Sequence, residues 1–260
     1  MLKQQRLSVA GVDGCQAGWF VTVVSAVVKV DLIEESSTLK LNNSFVAGSF
    51  SEVLSGTSDC NLVCVDIPIG LSDAKQRRCD LAARGILGKP RSSSVFPPPI
   101  RACLYARDYE TACQVSLTQC SKKLNKQSFF ILDKIRQVDD LMTPQLQTKV
   151  REIHPEVSFW ALNGKKPMRH NKRKLLGRKE RMELLSGIFP NLEGIIARAS
   201  KPKEVAPDDI LDALVTAWTA SQVVVGNAKT LPQRTDVDSK GLRMEILCPE
   251  SPIDSTRRHG

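Results

Sequence analysis

The chain has 260 residues, 42 % of them apolar and 25 % charged, with 37 Lys/Arg against 28 Asp/Glu for a net charge of +9. That length predicts one large domain with insertions, or one and a half domains, and a sizeable core. The 5 % aromatic content argues against a module that holds single strands by stacking bases on many rings. Eight cysteines with no CxxC pair and only three histidines argue against a disulfide or zinc scaffold, so reduced, mostly buried thiols are expected. The N-terminus has no signal-peptide core, and the longest apolar stretch, Trp19 to Ile33, is broken by Lys29 and Asp31. These features predict a cytoplasmic protein with no membrane partner.

In chain order, Leu7–Val12 reads as a strand ending at Asp13-Gly14, and Gly18 opens a second, Val- and Thr-rich run that pairs with it as a hairpin. Residues 34–60 read as an edge strand and a short helix. The run Leu62–Val65, with Asp66 next, is the most apolar and is expected at the sheet centre. From Gln76 the pattern turns helical, closing at Gly88 and Pro90, and Pro99 is a candidate helix start. Residues 100–146 read as helices, so about 72–148 is expected to be a helical insertion. Val150–Ile153 is a short strand, followed by Pro155 at a helix start with Glu156 in its first turn. The strongest helix runs from Pro207 to about Val225, stopped by Gly226. GLRMEIL is a last short strand within a domain spanning 1–247, and 248–260 is expected to be a disordered tail.

That last helix carries the informative acids. At 100° per residue, Leu211, Leu214, Val215 and Trp218 form a buried stripe flanked by Asp208 and Asp212. Asp208 or Asp209 alone is explained as a cap or a dipole-favoured charge. Asp212 lies well inside the helix, where Asp has poor propensity, and it neighbours Asp209 on the helix surface. Asp13 and Asp66 stand at strand ends, and Glu156 stands just past another. Carboxylates gathered at one sheet edge repel unless a cation neutralises them, and hard oxygen donors suit Mg²⁺ or Mn²⁺. Singly, each acid has an ordinary reading as a turn or cap residue; together, beside a basic segment, they read as a metal site.

That segment is KKPMRHNKRKLLGRKER, residues 165–181, with nine Lys/Arg against Glu180; the rest of the chain is close to neutral. A concentrated patch of this kind suits phosphate contacts, and a solvated basic loop is the alternative.

The motifs GVDGCQAGW, VDIPIGL, RRCDLAARGILGKPRSSSVFPPP, HPEVSF, GRKERMELL, PDDILDALVTAWTA and GLRMEI, in that order, resemble the DUF429 family of predicted ribonuclease H-like nucleases, from about Ser8 to Leu247. DILDALV also resembles the Asp-x-x-Asp-Ala-Leu helix of Holliday-junction resolvases. The resemblance implies an α/β fold with a mixed five-stranded sheet, order 3-2-1-4-5, flanked by helices. It implies acids on the first strand, after the fourth and on the last helix, places matched by Asp13, Asp66, and Asp209 with Asp212; Glu156 belongs to the family's own motif.

Three functions follow as expectations. The first is a Mg²⁺- or Mn²⁺-dependent nuclease acting on DNA or RNA by a two-metal mechanism. Its metal ligands would be Asp13, Asp66 and Asp212, with Asp209 or Glu156 as a further ligand or base. Its phosphate contacts would be Lys172, Lys174, Arg178 and Arg181, assisted by Arg77 and Arg78. The second is a small-molecule or nucleotide phosphotransferase on the same core, since GVDG resembles the first phosphate loop of sugar kinases and actin-like ATPases. The third is a nucleic-acid-binding protein that does no chemistry.

Overall fold

The structure, a computed structural model, describes residues 4–29, 38–200 and 205–251. Strand β1 (Gln4–Cys15) turns at Gln16-Ala17 into β2 (Gly18–Lys29), and the two pair antiparallel. Strand β3 (Lys40–Ala47) pairs antiparallel with β2. Helix α1 (Phe50–Gly56) leads to β4 (Leu62–Val65), which runs parallel to β1 and is buried throughout. Every regular element from there to β5 (Val150–Glu152) is helical, over the span read as an insertion: α2 (Arg78–Arg91), α3 (Tyr109–Cys120), α4 (Lys126–Phe130) and α5 (Leu132–Leu141), with short 3₁₀ turns. Strand β5 is parallel to β4, which gives a five-stranded mixed sheet in the order β3-β2-β1-β4-β5. That is the order the family resemblance implies.

After β5 come α6 (Pro155–Leu162), α7 (Leu175–Ser186), α8 (Leu192–Ala199) and α9 (Pro207–Val224). A separate antiparallel pair follows, β6 (Ala228–Val237) and β7 (Arg243–Pro249). Side chains alternate across the sheet. Val9, Leu62 and Cys64 face a core built with α6–α9, whereas Ala10, Val12, Val63 and Val65 face one built with α1 and the helical insertion. The same period of two puts Asp13 and Asp66 on the α9 side.

Gly11 sets how close α9 comes. A Cβ at Gly11 would lie 2.2 Å from the Ala217 nitrogen and 2.3 Å from the Ala213 oxygen, so only hydrogen lets the helix backbone rest on β1. Thr22 Oγ1 donates to the Ala213 oxygen at 3.0 Å and fixes the contact. Helix α9 is buried on all sides from Ile210 to Gln222, not along one stripe as its periodicity suggests. The reason is tertiary: the sheet covers one face, while α6, α7, α8, β6 and β7 cover the rest.

Other differences are local. Strand β6 carries no signal in the sequence reading; it is polar, with Leu231 its one buried residue, and pairing to β7 holds it. Helix α2 begins at Arg78 and changes direction where Gly88 and Lys89 leave helical geometry. Pro99 opens no α-helix; a 3₁₀ turn at Arg101–Cys103 follows it. Of the segment read as a disordered tail, Cys248 and Pro249 complete β7 and Cys248 is buried, while residues 252–260 lie outside the described residues. All eight cysteines are free, seven of them buried, and burial pushes the Cys64 thiol up to about 12, so these are inert packing residues. Among the described residues no helix is long and apolar enough to cross a membrane.

Candidate functional site

The parallel register of β1 and β4 aligns Val12 with Val65, and the Asp66 N–H donates to the Val12 oxygen at 3.0 Å. Asp13 and Asp66 therefore stand side by side at the C-terminal edge of the sheet. Helix α9, seated on Gly11, brings Asp212 over the same edge, 1 % exposed. Lys172 completes the group: its ammonium donates to Asp212 Oδ2.

Electrostatics show how tightly these groups interact. Burial raises the Asp13 carboxyl well above its ordinary value, and the charges of Asp66 and Asp212 raise it further. Burial pushes Asp66 up to about 7 against the attraction of Lys172, with Asp212 and Glu156 adding to the rise and the Asp13 carboxyl hydrogen-bonding to it. Burial alone would lower Lys172, but Asp212 and Asp13 outweigh it and hold the ammonium protonated. Asp209 is half-buried, and burial pushes it up to about 6 although the Ala206 N–H donates to its Oδ2 at 3.0 Å. That bond caps α9, so the ordinary reading holds for one of its oxygens. Asp208 lies beside it in the first turn of α9.

Glu156 enters from the first turn of α6 and is 6 % exposed. Its Oε1 accepts from Arg181 Nη2 at 2.5 Å, while Oε2 is buried without a hydrogen-bond partner. An orphaned carboxylate oxygen beside Asp66 is a donor atom of the kind a hard cation takes. Just before it, His154 accepts the Glu156 N–H on Nδ1 at 3.2 Å and faces the Ser94 oxygen through Nε2 at 3.3 Å. Burial, with help from Lys172, lowers His154, so the ring is neutral. Sequence reasoning gave His154 no role; its only signal was its place just before Pro155 in HPEVSF.

The donors fit a hard divalent cation in kind. Among the described residues, however, no three His, Cys, Asp or Glu side chains converge on one ion position as they stand. The charge paired directly with Asp212 is Lys172.

The expected phosphate contacts divide. Arg77 is 3 % exposed and committed to Asp80 at 2.6 Å and Glu152 at 2.6 Å, which corrects its reading as a phosphate ligand. Arg181 is fully buried on Glu156 and on the His170 and Gly177 oxygens, a second correction. Lys172 belongs to the carboxylate cluster and not to the open basic surface. Arg78 is exposed but paired with Asp236 at 2.5 Å. Lys174 is exposed at the N-terminus of α7, and Arg178, one turn on, is half-buried with its Nε lacking a partner. In each correction one carboxylate partner, Glu152 for Arg77 and Glu156 for Arg181, lies far away in sequence or was read for another task.

A family model described as "Protein of unknown function (DUF429)" matches residues 11–237. No curated protein matches the chain. Among solved structures, Thermus thermophilus RuvC is similar at 14 % identity and a TM-score of 0.35, over 85 % of this chain and 97 % of that one. T. thermophilus RuvC in complex with a Holliday junction substrate is similar at 13 % identity and a TM-score of 0.35, over 84 % of this chain and 93 % of that one.

Proposed function

The chain belongs to the DUF429 family, and we propose that it is a Mg²⁺- or Mn²⁺-dependent nuclease that hydrolyses phosphodiester bonds of DNA or RNA at the edge formed by Asp13, Asp66 and Asp212. The observation that carries this reading is the convergence of three buried carboxylates from distant segments, where burial first and repulsion among the acids after it raise Asp13 well above its ordinary value and push Asp66 up to about 7. Acids so placed oppose folding, which is the arrangement expected where function sets the geometry. A basic segment with exposed Arg169, Arg173, Lys174 and Lys179 adjoins them.

Asp13, Asp66 and Asp212 would hold the cation, with Glu156 Oε2 or the free oxygen of Asp209 as a further donor. A divalent ion there supplies an activated water and neutralises charge building on the phosphate. The chain's own residues do the rest. Arg181 clamps Glu156 through Oε1 and leaves Oε2 without a hydrogen-bond partner, suited to orient water or take its proton. Lys174 and Arg178 hold flanking phosphates, and Arg91 anchors the basic segment through the Met168 oxygen at 2.8 Å.

The test is cleavage of labelled single-stranded DNA, duplex DNA and RNA in Mn²⁺ or chelator, with wild type beside Asp13→Asn. The expected result is metal-dependent cleavage that falls by at least about a hundredfold in the variant. Failure to cut any of the three substrates in either metal contradicts the reading.

A further inference from the structure

Lys172 gives this site a property the metal reading does not contain. The backbone just before it is fixed from several sides. The Arg169 and His170 N–H groups donate to the Glu180 carboxylate at 2.8 and 3.0 Å. Arg181 donates to the His170 oxygen at 3.2 Å and the Gly177 oxygen at 2.9 Å. The Asn171 oxygen lies 2.0 Å from where a Cβ on Gly177 would sit, so only glycine lets α7 receive this loop. The segment before Lys172 is thus held in place, and the lysine reaches from it to Asp212.

The lysine side chain is 35 % exposed, whereas that of Asp212 is 1 % exposed. The aspartate is therefore fixed and enclosed, while the lysine has a route to solvent along a flexible four-carbon stem. A divalent ion on the same carboxylate would face a like charge at contact distance, so the two cations exclude one another.

We propose that Lys172 is a tethered counter-ion that competes with the divalent cation for Asp212, neutralising the carboxylate cluster until the metal displaces it. This rests on the metal reading of the same carboxylates, although not on the reaction assigned to them. The exchange makes and breaks only ion pairs and leaves the backbone anchors at Glu180, Arg181 and Gly177 in place.

The test is calorimetric titration of Mn²⁺ into chelator-treated, full-length wild type, Lys172→Met and Lys172→Arg. Lys172→Met is expected to bind Mn²⁺ more tightly by about tenfold or more, because the competing half of a largely buried ion pair is gone. Lys172→Arg keeps a competitor and is expected to stay near wild type. Unchanged or weaker binding by Lys172→Met overturns the proposal. A second measurement needs no variant: nitrogen-detected NMR of the lysine ammonium groups in wild type. A salt-bridged ammonium signal, assigned to Lys172, is expected to be lost or shifted on adding Mg²⁺, and its persistence unchanged at saturation overturns the proposal. Competition without cleavage of any polymer sinks the nuclease reading alone; absence of Mn²⁺ binding in every variant sinks both.

Discussion

Two charged clusters sit a few residues apart at the same end of β4 and β5, and their chemistry is opposite. In the first, Arg77 lies between Asp80 and Glu152; its guanidinium donates to both carboxylates and to the Ile69 and Gly70 oxygens. The Ile69 N–H closes the remaining demand of Glu152 at 2.6 Å. In the second, Asp13, Asp66 and Asp212 share one lysine. Burial is the largest influence on Glu152 in the first and on Asp13 and Asp66 in the second. At Glu152, pushed to about 7, the next influences are the attraction and hydrogen bonding of Arg77. At Asp13 they are the repulsions of Asp66 and Asp212. A closed network with a rigid bidentate cation is what a fold uses to join β5 to α2. A surplus of acids served by a flexible cation is what a binding site looks like.

The comparison breaks most sharply at Arg77. Arg77→Met leaves two buried carboxylates without their cation and is expected to cost about 3–5 kcal/mol of stability in chemical denaturation, whether or not Mn²⁺ is present. Next comes Gly11→Ala, whose methyl group meets the α9 backbone. It is expected to cost about 2–3 kcal/mol and to weaken Mn²⁺ binding by displacing Asp212, leaving the Arg77 network intact. Asp13→Asn has the opposite sign. Replacing a buried carboxyl whose charged form burial and two neighbouring acids disfavour is expected to stabilise the chelated protein by about 1 kcal/mol while lowering cleavage by at least about a hundredfold. A loss of stability there would place Asp13 among structural acids.

Acidity separates the clusters more finely. Asp66 at about 7 and Asp209 at about 6 both lie above the ordinary aspartate value of 3.8, so the folded state holds their protons to higher pH than the unfolded state. Their contribution is present in full below the unfolded value and lost as pH rises through 6 and 7. In chelator, the melting temperature is therefore expected to rise as pH falls from 8 to 5.5. Glu152 acts with the same sign but lies in the other cluster, so the part of this slope that Mn²⁺ reverses reports Asp13, Asp66 and Asp209. The smallest expected effect is at Lys174. If it contacts a duplex phosphate, Lys174→Ala lowers the slope of log affinity against log salt by about 0.9. A slope equal to wild type removes it from the interface.

How far the sequence revealed this depends on the range of each interaction. The β1–β2 hairpin, the apolar run of β4 and the Pro-started α9 carry local signals, and the place of Asp66 just after β4 followed from them, whereas β1 runs on through Asp13 to Cys15. Strand β6 has no such signal, because its polar residues offer no alternation and only pairing with β7 defines it. The basic segment looked uniform by composition, yet Arg181 is buried on Glu156 and Lys172 is paired with Asp212, partners 25 and 40 residues away. Arg77–Asp80 is a spacing that sequence displays, but Glu152 lies 75 residues from Arg77, and it is the enclosure of all three that withdraws Arg77 from any phosphate. Charge was legible as a total; its division between holding the fold and meeting a ligand was not.

The most direct measurement is Mn²⁺ binding by calorimetry to wild type, Asp66→Asn, Asp212→Asn and, as the structural control, Asp236→Asn, whose carboxylate pairs with Arg78 on the surface. The account predicts one shared site, lost in both cluster variants and retained in the control. Binding that survives in Asp66→Asn and Asp212→Asn alike would contradict it.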